Sequence, residues 1–191
     1  MNLPNRLTLI RVSLIPVFVA LLLLSAYSEW FSLAAVLVFA AACITDFFDG
    51  RIARKRNLVT NFGKFMDPLA DKLLVCSALI CLLSLGRIDV WVVIVIVARE
   101  FIISGFRLVA AEQGIVLAAS KLAKVKTVIQ MVMVIVLIVN LPSFSNLLPW
   151  LWFLNYFRII EVILIYAALI LTVVSLLEYL IRNRNVMKGP M

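Results

Sequence analysis

The chain has 191 residues, of which 65% are hydrophobic, and its mean hydropathy is +1.14. Soluble domains average about one half apolar residues, so this composition excludes an ordinary soluble domain and indicates an integral membrane protein. The formal net charge is +8, and the chain contains no histidine. Because the basic residues fall in short flanks of apolar runs, the positive charge is typical of the cytoplasmic side of a membrane protein and does not indicate nucleic-acid binding.

Six apolar runs, taken in chain order, predict an all-α polytopic membrane protein with a bundle of six transmembrane helices. The predicted spans lie near residues 7–25, 31–48, 69–85, 90–111, 125–141 and 157–181. Connections on one side of the membrane are rich in Lys and Arg, whereas those on the other side carry only Arg87. The positive-inside rule therefore predicts that both termini and two basic loops are cytoplasmic. Residues 1–191 are predicted to form a single integral-membrane domain.

Four aspartates flank the basic loop predicted between the second and third spans. Asp46 and Asp49 are spaced i, i+3 where the second span ends, and Asp67 and Asp71 are spaced i, i+4 where the third begins. Each spacing places two carboxylates on one helix face, at the cytoplasmic edge of the membrane. Four carboxylates near hydrocarbon repel one another, so the cluster predicts bound cations. Oxygen ligands without His or Cys favour Mg²⁺ or Mn²⁺, and two such ions can clamp a pyrophosphate.

Separate structural roles are the alternative for these acids. Asp67 precedes Pro68, which suits a helix N-cap, and the first aspartate pair would form ion pairs with Arg51 and Arg54. Small residues accompany the acids at Gly50, Ala53 and Gly63. Their lack of bulk lets a nucleobase or a pyrophosphate approach the backbone, which the structural roles leave unexplained.

One continuous pattern contains all of these residues: Asp46-x-x-Asp49-Gly50-x-x-Ala53-Arg54, eight further residues, then Gly63-x-x-x-Asp67-x-x-x-Asp71. It resembles the full signature of the CDP-alcohol phosphatidyltransferase family, and no position departs from it. The resemblance covers the whole chain, since that family has a six-span core. It implies transfer of a phosphatidyl group from a CDP-linked lipid, usually CDP-diacylglycerol, to an alcohol, with release of CMP. It also implies a homodimer whose active site opens to lipid at the cytoplasmic edge.

The resemblance implies roles for individual residues. The four aspartates would bind two ions of Mg²⁺ or Mn²⁺ in each active site, and Asp71 would act as the general base that takes the proton of the acceptor hydroxyl. A carboxylate base suits a chain without histidine. The CDP-lipid site would be lined by Gly50, Ala53, Arg54 and Gly63. Thr8, one turn from Arg11 in the opening helix, is expected to help hold the nucleotide.

The fourth predicted span carries a polar stripe in an otherwise apolar helix, at Arg99, Glu100, Ser104 and Arg107. Charged groups within a membrane generally face the bundle interior and mark function. The alternative is a structural pair of Arg99 with Glu100, while Arg107 reaches the cytoplasmic interface.

Three lysines follow in the second basic loop, at Lys121, Lys124 and Lys126. A group of cations suits an acceptor that carries its own phosphate, and we expect Arg107, Lys124 and Lys126 to bind that phosphate. The alternative is a positive-inside loop that also attracts anionic lipid.

Three segments resemble members of the family that use sn-glycerol 3-phosphate as the acceptor: AREFIISGFR, KLAKVKT and NLPNRLTLIRV. This resemblance implies phosphatidylglycerophosphate as the product, in anionic phospholipid synthesis. A second hypothesis keeps the family but changes the acceptor to inositol phosphate, serine or phosphatidylglycerol. A third is a divalent-cation transporter, which predicts acids near the middle of the membrane rather than at one edge.

Overall fold

The computed structural model describes the backbone of residues 3–56, 61–112, 117, 120–139, 141 and 157–183. Side chains are described for residues 9–45, 69–70, 72–111, 117, 120–139, 141 and 158–183. The described residues form six α-helices and no strand. The helices are α1 Leu3–Leu24, α2 Glu29–Arg56, α3 Asn61–Ser84, α4 Val90–Glu112, α5 Lys121–Val139 and α6 Phe157–Arg182.

Each predicted apolar run overlaps one of these helices, which confirms the all-α prediction. Within the described part of the chain, two helices are long and apolar enough to cross a membrane: α5 over its full length and α6 from Arg158 to Arg182. Shorter apolar segments occupy Leu9–Leu24, Glu29–Thr45 and Lys72–Ser84. Large apolar side chains are exposed on each of the six helices, for example at Ile10, Leu37, Ile80, Ile94, Val128 and Ile163. Such a surface suits hydrocarbon rather than water and is that of a membrane protein.

The chain divides into two compact units. Unit 1 comprises Met1–Arg87 and Val134–Arg158, and unit 2 comprises Ile88–Met133 and Ile159–Met191. In unit 1, α1 packs against both α2 and α3. Phe18 of α1 and Phe39 of α2 are fully buried there, with ring centroids 5.4 Å apart and ring planes at 41°. An aromatic pair therefore anchors the α1–α2 contact.

The end of α3 is fixed by a glycine in the left-handed conformation. Gly86 has φ 67°, and its N–H donates to the Leu83 carbonyl at 3.0 Å. The Arg87 N–H donates to the Leu82 carbonyl at 2.9 Å. These two bonds form a Schellman motif, which satisfies carbonyls that the last helical turn would leave unpaired. A residue with a side chain would be strained at this φ.

The structure corrects the prediction of a basic loop between the aspartate pairs. Helix α2 continues to Arg56 and α3 begins at Asn61, so the acids lie inside helices rather than at their ends. Asp67 is well within α3, so the alternative in which it caps that helix was wrong. The basic segment after Asp49 consists largely of good helix formers, and intrinsic propensity continues the helix beyond its apolar part.

The prediction of a second basic loop was also wrong in its extent, because α5 begins at Lys121. Ser120 is the N-cap: its Oγ accepts a hydrogen bond from the Ala123 N–H at 3.1 Å. Lys124 and Lys126 therefore lie on a helix, where their positions are fixed relative to one another.

The aromatic pair in unit 1 gives a stability prediction. Phe18→Ala removes a fully buried ring from its contact with Phe39, and we expect the free energy of unfolding to fall by roughly 3 kcal/mol. Thermal unfolding of the purified protein in detergent measures this. Leu37→Ala, at a side chain that is 60% exposed, is the control and should change little. Equal effects of the two variants would contradict the packing described for this helix pair.

Candidate active site

The four predicted metal ligands lie on two helices of unit 1. Asp46 and Asp49 are in α2, and Asp67 and Asp71 are in α3. Because the backbone is helical at all four positions, each pair occupies one face of its helix, as the spacing predicted. Their side chains lie outside the described residues, and their convergence on shared cations stays a prediction.

The predicted CDP-lipid residues also belong to helices of unit 1: Thr8 in α1, Gly50, Ala53 and Arg54 in α2, and Gly63 in α3. Their side chains lie outside the described residues, so their roles stay predictions. Arg11, one turn after Thr8, is only 3% exposed. A buried arginine requires polar or anionic partners, which marks this part of α1 as a polar site within an apolar helix.

Unit 2 contains a buried polar network that joins three helices. Arg99 on α4 donates from Nη1 to Glu100 Oε1 at 3.1 Å and from Nη2 to Ser175 Oγ on α6 at 3.1 Å. Lys126 on α5 donates from Nζ to the same Glu100 oxygen. Arg99 is 5% exposed and Lys126 is fully buried. One carboxylate thus serves two buried cations.

The contacts of this network test several predictions made for the polar stripe of α4. The predicted pair of Arg99 with Glu100 is confirmed. The Ser104 hydroxyl donates to the Glu100 backbone carbonyl at 2.5 Å and is satisfied within its own helix. Of the three predicted acceptor-phosphate residues, Arg107 and Lys124 are exposed, whereas Lys126 is buried against Glu100. The geometry leaves their role as phosphate ligands a prediction.

Sequence reasoning missed one member of the network, Ser175, and the contact between Lys126 and Glu100. Nothing in the sequence pairs Lys126 with Glu100, since they are far apart in the chain and on different helices. Ser175 lies in an apolar run, but a signal was available. Thr172 and Ser175 form a polar i, i+3 pair, and both are fully buried. Two hydroxyls on one face of an apolar helix indicate an inward-facing polar stripe.

Three buried donors of unit 2 have no hydrogen-bond partner among the residues that the structure describes: Arg99 Nε, Gln130 Nε2 and Tyr179 Oη. Gln130 lies one turn after Lys126 on α5, and Tyr179 lies one turn after Ser175 on α6. A buried donor without an acceptor is costly, and each such group calls for a ligand or a water. Buried donors next to the charged side chains suit a ligand with several acceptor oxygens.

Tyr179 also organises the ends of α4 and α6. Its ring packs edge-to-face on Phe106, with centroids 5.7 Å apart and an interplanar angle of 78°. The Arg107 guanidinium carbon lies 5.8 Å from the centroid of the same ring. A cation–π contact therefore holds Arg107 while leaving it exposed.

Comparison with known proteins decides the family. Residues 1–182 match the family model described as CDP-alcohol phosphatidyltransferase. The chain belongs to this family. The match confirms the family resemblance, and the protein is a CDP-alcohol phosphatidyltransferase, a membrane transferase.

Several curated members of the family are similar to this phosphatidyltransferase over nearly their whole length. A CDP-diacylglycerol–glycerol-3-phosphate 3-phosphatidyltransferase of Bacillus subtilis (strain 168) is 43% identical, and the match covers 98% of this chain and 97% of the relative. An enzyme of the same name from Rickettsia bellii is 39% identical, with 93% of each chain covered. A probable phosphatidylglycerophosphate synthase of Mycobacterium tuberculosis (strain H37Rv) is 37% identical, over 95% of this chain and 81% of the relative.

Substitutions of Tyr179 separate its ring from its hydroxyl. Tyr179→Phe keeps both ring contacts and removes a buried hydroxyl without a partner among the described residues, so stability should be unchanged or slightly raised. Tyr179→Leu removes both contacts and should lower the free energy of unfolding by about 1–2 kcal/mol. Thermal unfolding in detergent measures both. If Tyr179→Phe proves as destabilising as Tyr179→Leu, the stabilisation comes from the hydroxyl and not from the ring.

Proposed function

We propose that this phosphatidyltransferase transfers the phosphatidyl group of CDP-diacylglycerol to sn-glycerol 3-phosphate, giving phosphatidylglycerophosphate and CMP in anionic phospholipid synthesis. The observation that carries the proposal is the 43% identity to the Bacillus subtilis enzyme whose name states these substrates. The buried cationic network of α4, α5 and α6 supports an acceptor that bears a phosphate.

The four aspartates of α2 and α3 fit divalent cations by their chemistry. They supply hard oxygen donors in helical i, i+3 and i, i+4 pairs, and the chain contains no histidine to favour zinc. Asp46, Asp49, Asp67 and Asp71 would hold two ions of Mg²⁺ or Mn²⁺. When bound, such ions neutralise the diphosphate and polarise the phosphorus under attack.

The remaining chemistry belongs to side chains of this protein. Asp71 accepts the proton of the acceptor hydroxyl, and that oxygen forms a bond to the phosphorus of the phosphatidyl group. The bond from this phosphorus to the bridging oxygen breaks, and CMP leaves with the electron pair. Thr8, Gly50, Ala53, Arg54 and Gly63 hold the CDP group, the glycines and alanine by admitting it close to the backbone. Positioning and charge stabilisation supply most of the rate.

We assign the acceptor phosphate to Arg107, Lys124 and Lys126. Arg107 and Lys124 are exposed, and Arg107 is oriented by the Tyr179 ring. Lys126 belongs to the buried network, next to donors that have no partner among the described side chains. Anionic lipid bound by an inside-positive surface is the competing role for the exposed pair.

We further propose six spans, with both termini and the active site on the cytoplasmic side of the cell membrane, and a homodimer. Exposed apolar side chains on all six described helices support the spans. The basic flanks of α2, α3 and α5 support the orientation. Two-fold homodimers are the commonest symmetric assembly, and the family commonly forms them.

An acceptor panel tests the reaction. The purified protein is incubated with CDP-diacylglycerol, Mg²⁺ and one candidate alcohol at a time, and release of CMP is measured. We expect release with sn-glycerol 3-phosphate, and at least tenfold less with serine, inositol phosphate or phosphatidylglycerol. Release with one of these acceptors and none with glycerol 3-phosphate would keep the family and replace the acceptor. Uptake of Mn²⁺ into proteoliposomes without any nucleotide would instead favour the transporter.

Asp71→Asn tests the assignment of the base. The variant should fold and bind CDP-diacylglycerol, while kcat falls at least 100-fold because a general base typically contributes 10²–10⁴. Asp89→Asn, at an exposed aspartate outside the helices, is the matched control and should keep normal turnover. Removal of divalent ions should abolish the activity of the unaltered protein, and Mg²⁺ or Mn²⁺ should restore it. Normal turnover of Asp71→Asn would remove the proposed base.

A further inference from the structure

Two buried cations on different helices meet at one carboxylate oxygen in unit 2. Glu100 Oε1 accepts from Arg99 Nη1 at 3.1 Å and also from Lys126 Nζ. Ser175 Oγ accepts from the other end of the Arg99 guanidinium and in turn donates to the Thr172 carbonyl, both at 3.1 Å. Glu100 therefore fixes the charged ends of an α4 and an α5 side chain, and Arg99 has a second attachment on α6.

The network has capacity left for a ligand. Arg99 Nε and Gln130 Nε2 are buried donors without a partner among the described residues. A ligand with several acceptor oxygens, such as a phosphate, would accept hydrogen bonds from both donors.

The Glu100 charge has two opposing effects on an anion that binds there. If both cations kept their positions without it, its removal would strengthen the attraction for the anion. Without Glu100, however, two like charges would face each other in a buried site, where repulsion is strong. Lys126 has a long, flexible stem and would be the group that moves. The sign of the effect on binding therefore reveals whether Glu100 holds the cations in place or only neutralises them.

We propose that Glu100 is a positioning residue for the acceptor phosphate, which orients Lys126 and Arg99 without itself touching the acceptor. The inference rests on the proposed function, because it requires an acceptor that carries a phosphate. Its carboxylate acts through two cations on neighbouring helices, so its loss affects the acceptor and leaves the CDP-lipid site of α2 and α3 unchanged.

Steady-state kinetics of Glu100→Gln in the purified full-length protein test this. CMP release is followed while the concentration of glycerol 3-phosphate is varied at saturating CDP-diacylglycerol. It is then followed while CDP-diacylglycerol is varied at saturating glycerol 3-phosphate. We expect the KM for glycerol 3-phosphate to rise at least tenfold while the KM for CDP-diacylglycerol stays within about twofold. Glu100→Asp keeps the charge with a shorter reach and should raise the KM for glycerol 3-phosphate only about threefold.

Glu161→Gln is the matched control, because Glu161 is a buried glutamate on α6 of the same unit and no part of this network is assigned to it. Its KM values should equal those of the unaltered protein. An unchanged or lowered KM for glycerol 3-phosphate in Glu100→Gln overturns the inference, and so does an equal rise in both KM values. If Glu100→Gln does not fold, Glu100→Asp decides by the same criterion.

The acceptor panel separates failure of this inference from failure of the proposed function. If the unaltered protein uses a different phosphorylated alcohol, glycerol 3-phosphate is the wrong acceptor. The Glu100 variants are then measured with that alcohol, and a selective rise in its KM still supports the inference. If the acceptor carries no phosphate, the inference is overturned together with the acceptor assignment.

Discussion

The cost of placing charge in hydrocarbon governs the arrangement of polar groups in this protein. Simple hydroxyls are satisfied inside their own helices, as when Thr172 Oγ1 donates to the Ala168 carbonyl at 2.6 Å. Arg99, Glu100 and Lys126 instead need charged partners, and the Glu100–Lys126 pair joins two helices. Their shared interaction links α4 to α5, and Ser175 extends it to α6. The pairing of buried charges therefore determines which helix faces meet in unit 2.

The same rule explains how much of the fold could be predicted from the sequence. Hydropathy located all six helices, because a span must bury an apolar length that local sequence reports directly. It did not locate their ends. Helix α2 ends at Arg56 and α5 begins at Lys121, both in polar segments. Intrinsic helix propensity and the Ser120 N-cap set the helix ends there. Helix ends outside the hydrocarbon have no hydropathy signal.

The candidate site also has a part that the sequence predicts and a part that it does not. The aspartate pattern could be predicted because it is local in the sequence: four acids and four other positions lie at fixed spacing on two consecutive helices. The Glu100–Lys126 contact could not be predicted from the sequence, since it depends on how α4 and α5 pack. Even the Arg99–Glu100 pair goes against simple helix geometry, in which neighbours at i and i+1 do not face each other. Long side chains overcome that divergence when little solvent competes for their charges, as at the buried Arg99 and the partly buried Glu100.

In the proposed reaction both substrates are anionic, so each needs positive charge, which this chain would supply by two different means. Around the CDP-lipid it would place the carboxylates of α2 and α3, which attract an anion only through divalent cations but can also accept a proton. A chain without histidine would gain its base from that choice, because lysine and arginine are protonated at neutral pH. For the acceptor phosphate no base is required, so fixed side-chain cations suffice. Fixed cations in an apolar helix then need a counter-charge during the periods when no acceptor is bound. Glu100 contacts both Arg99 and Lys126 and would provide that counter-charge.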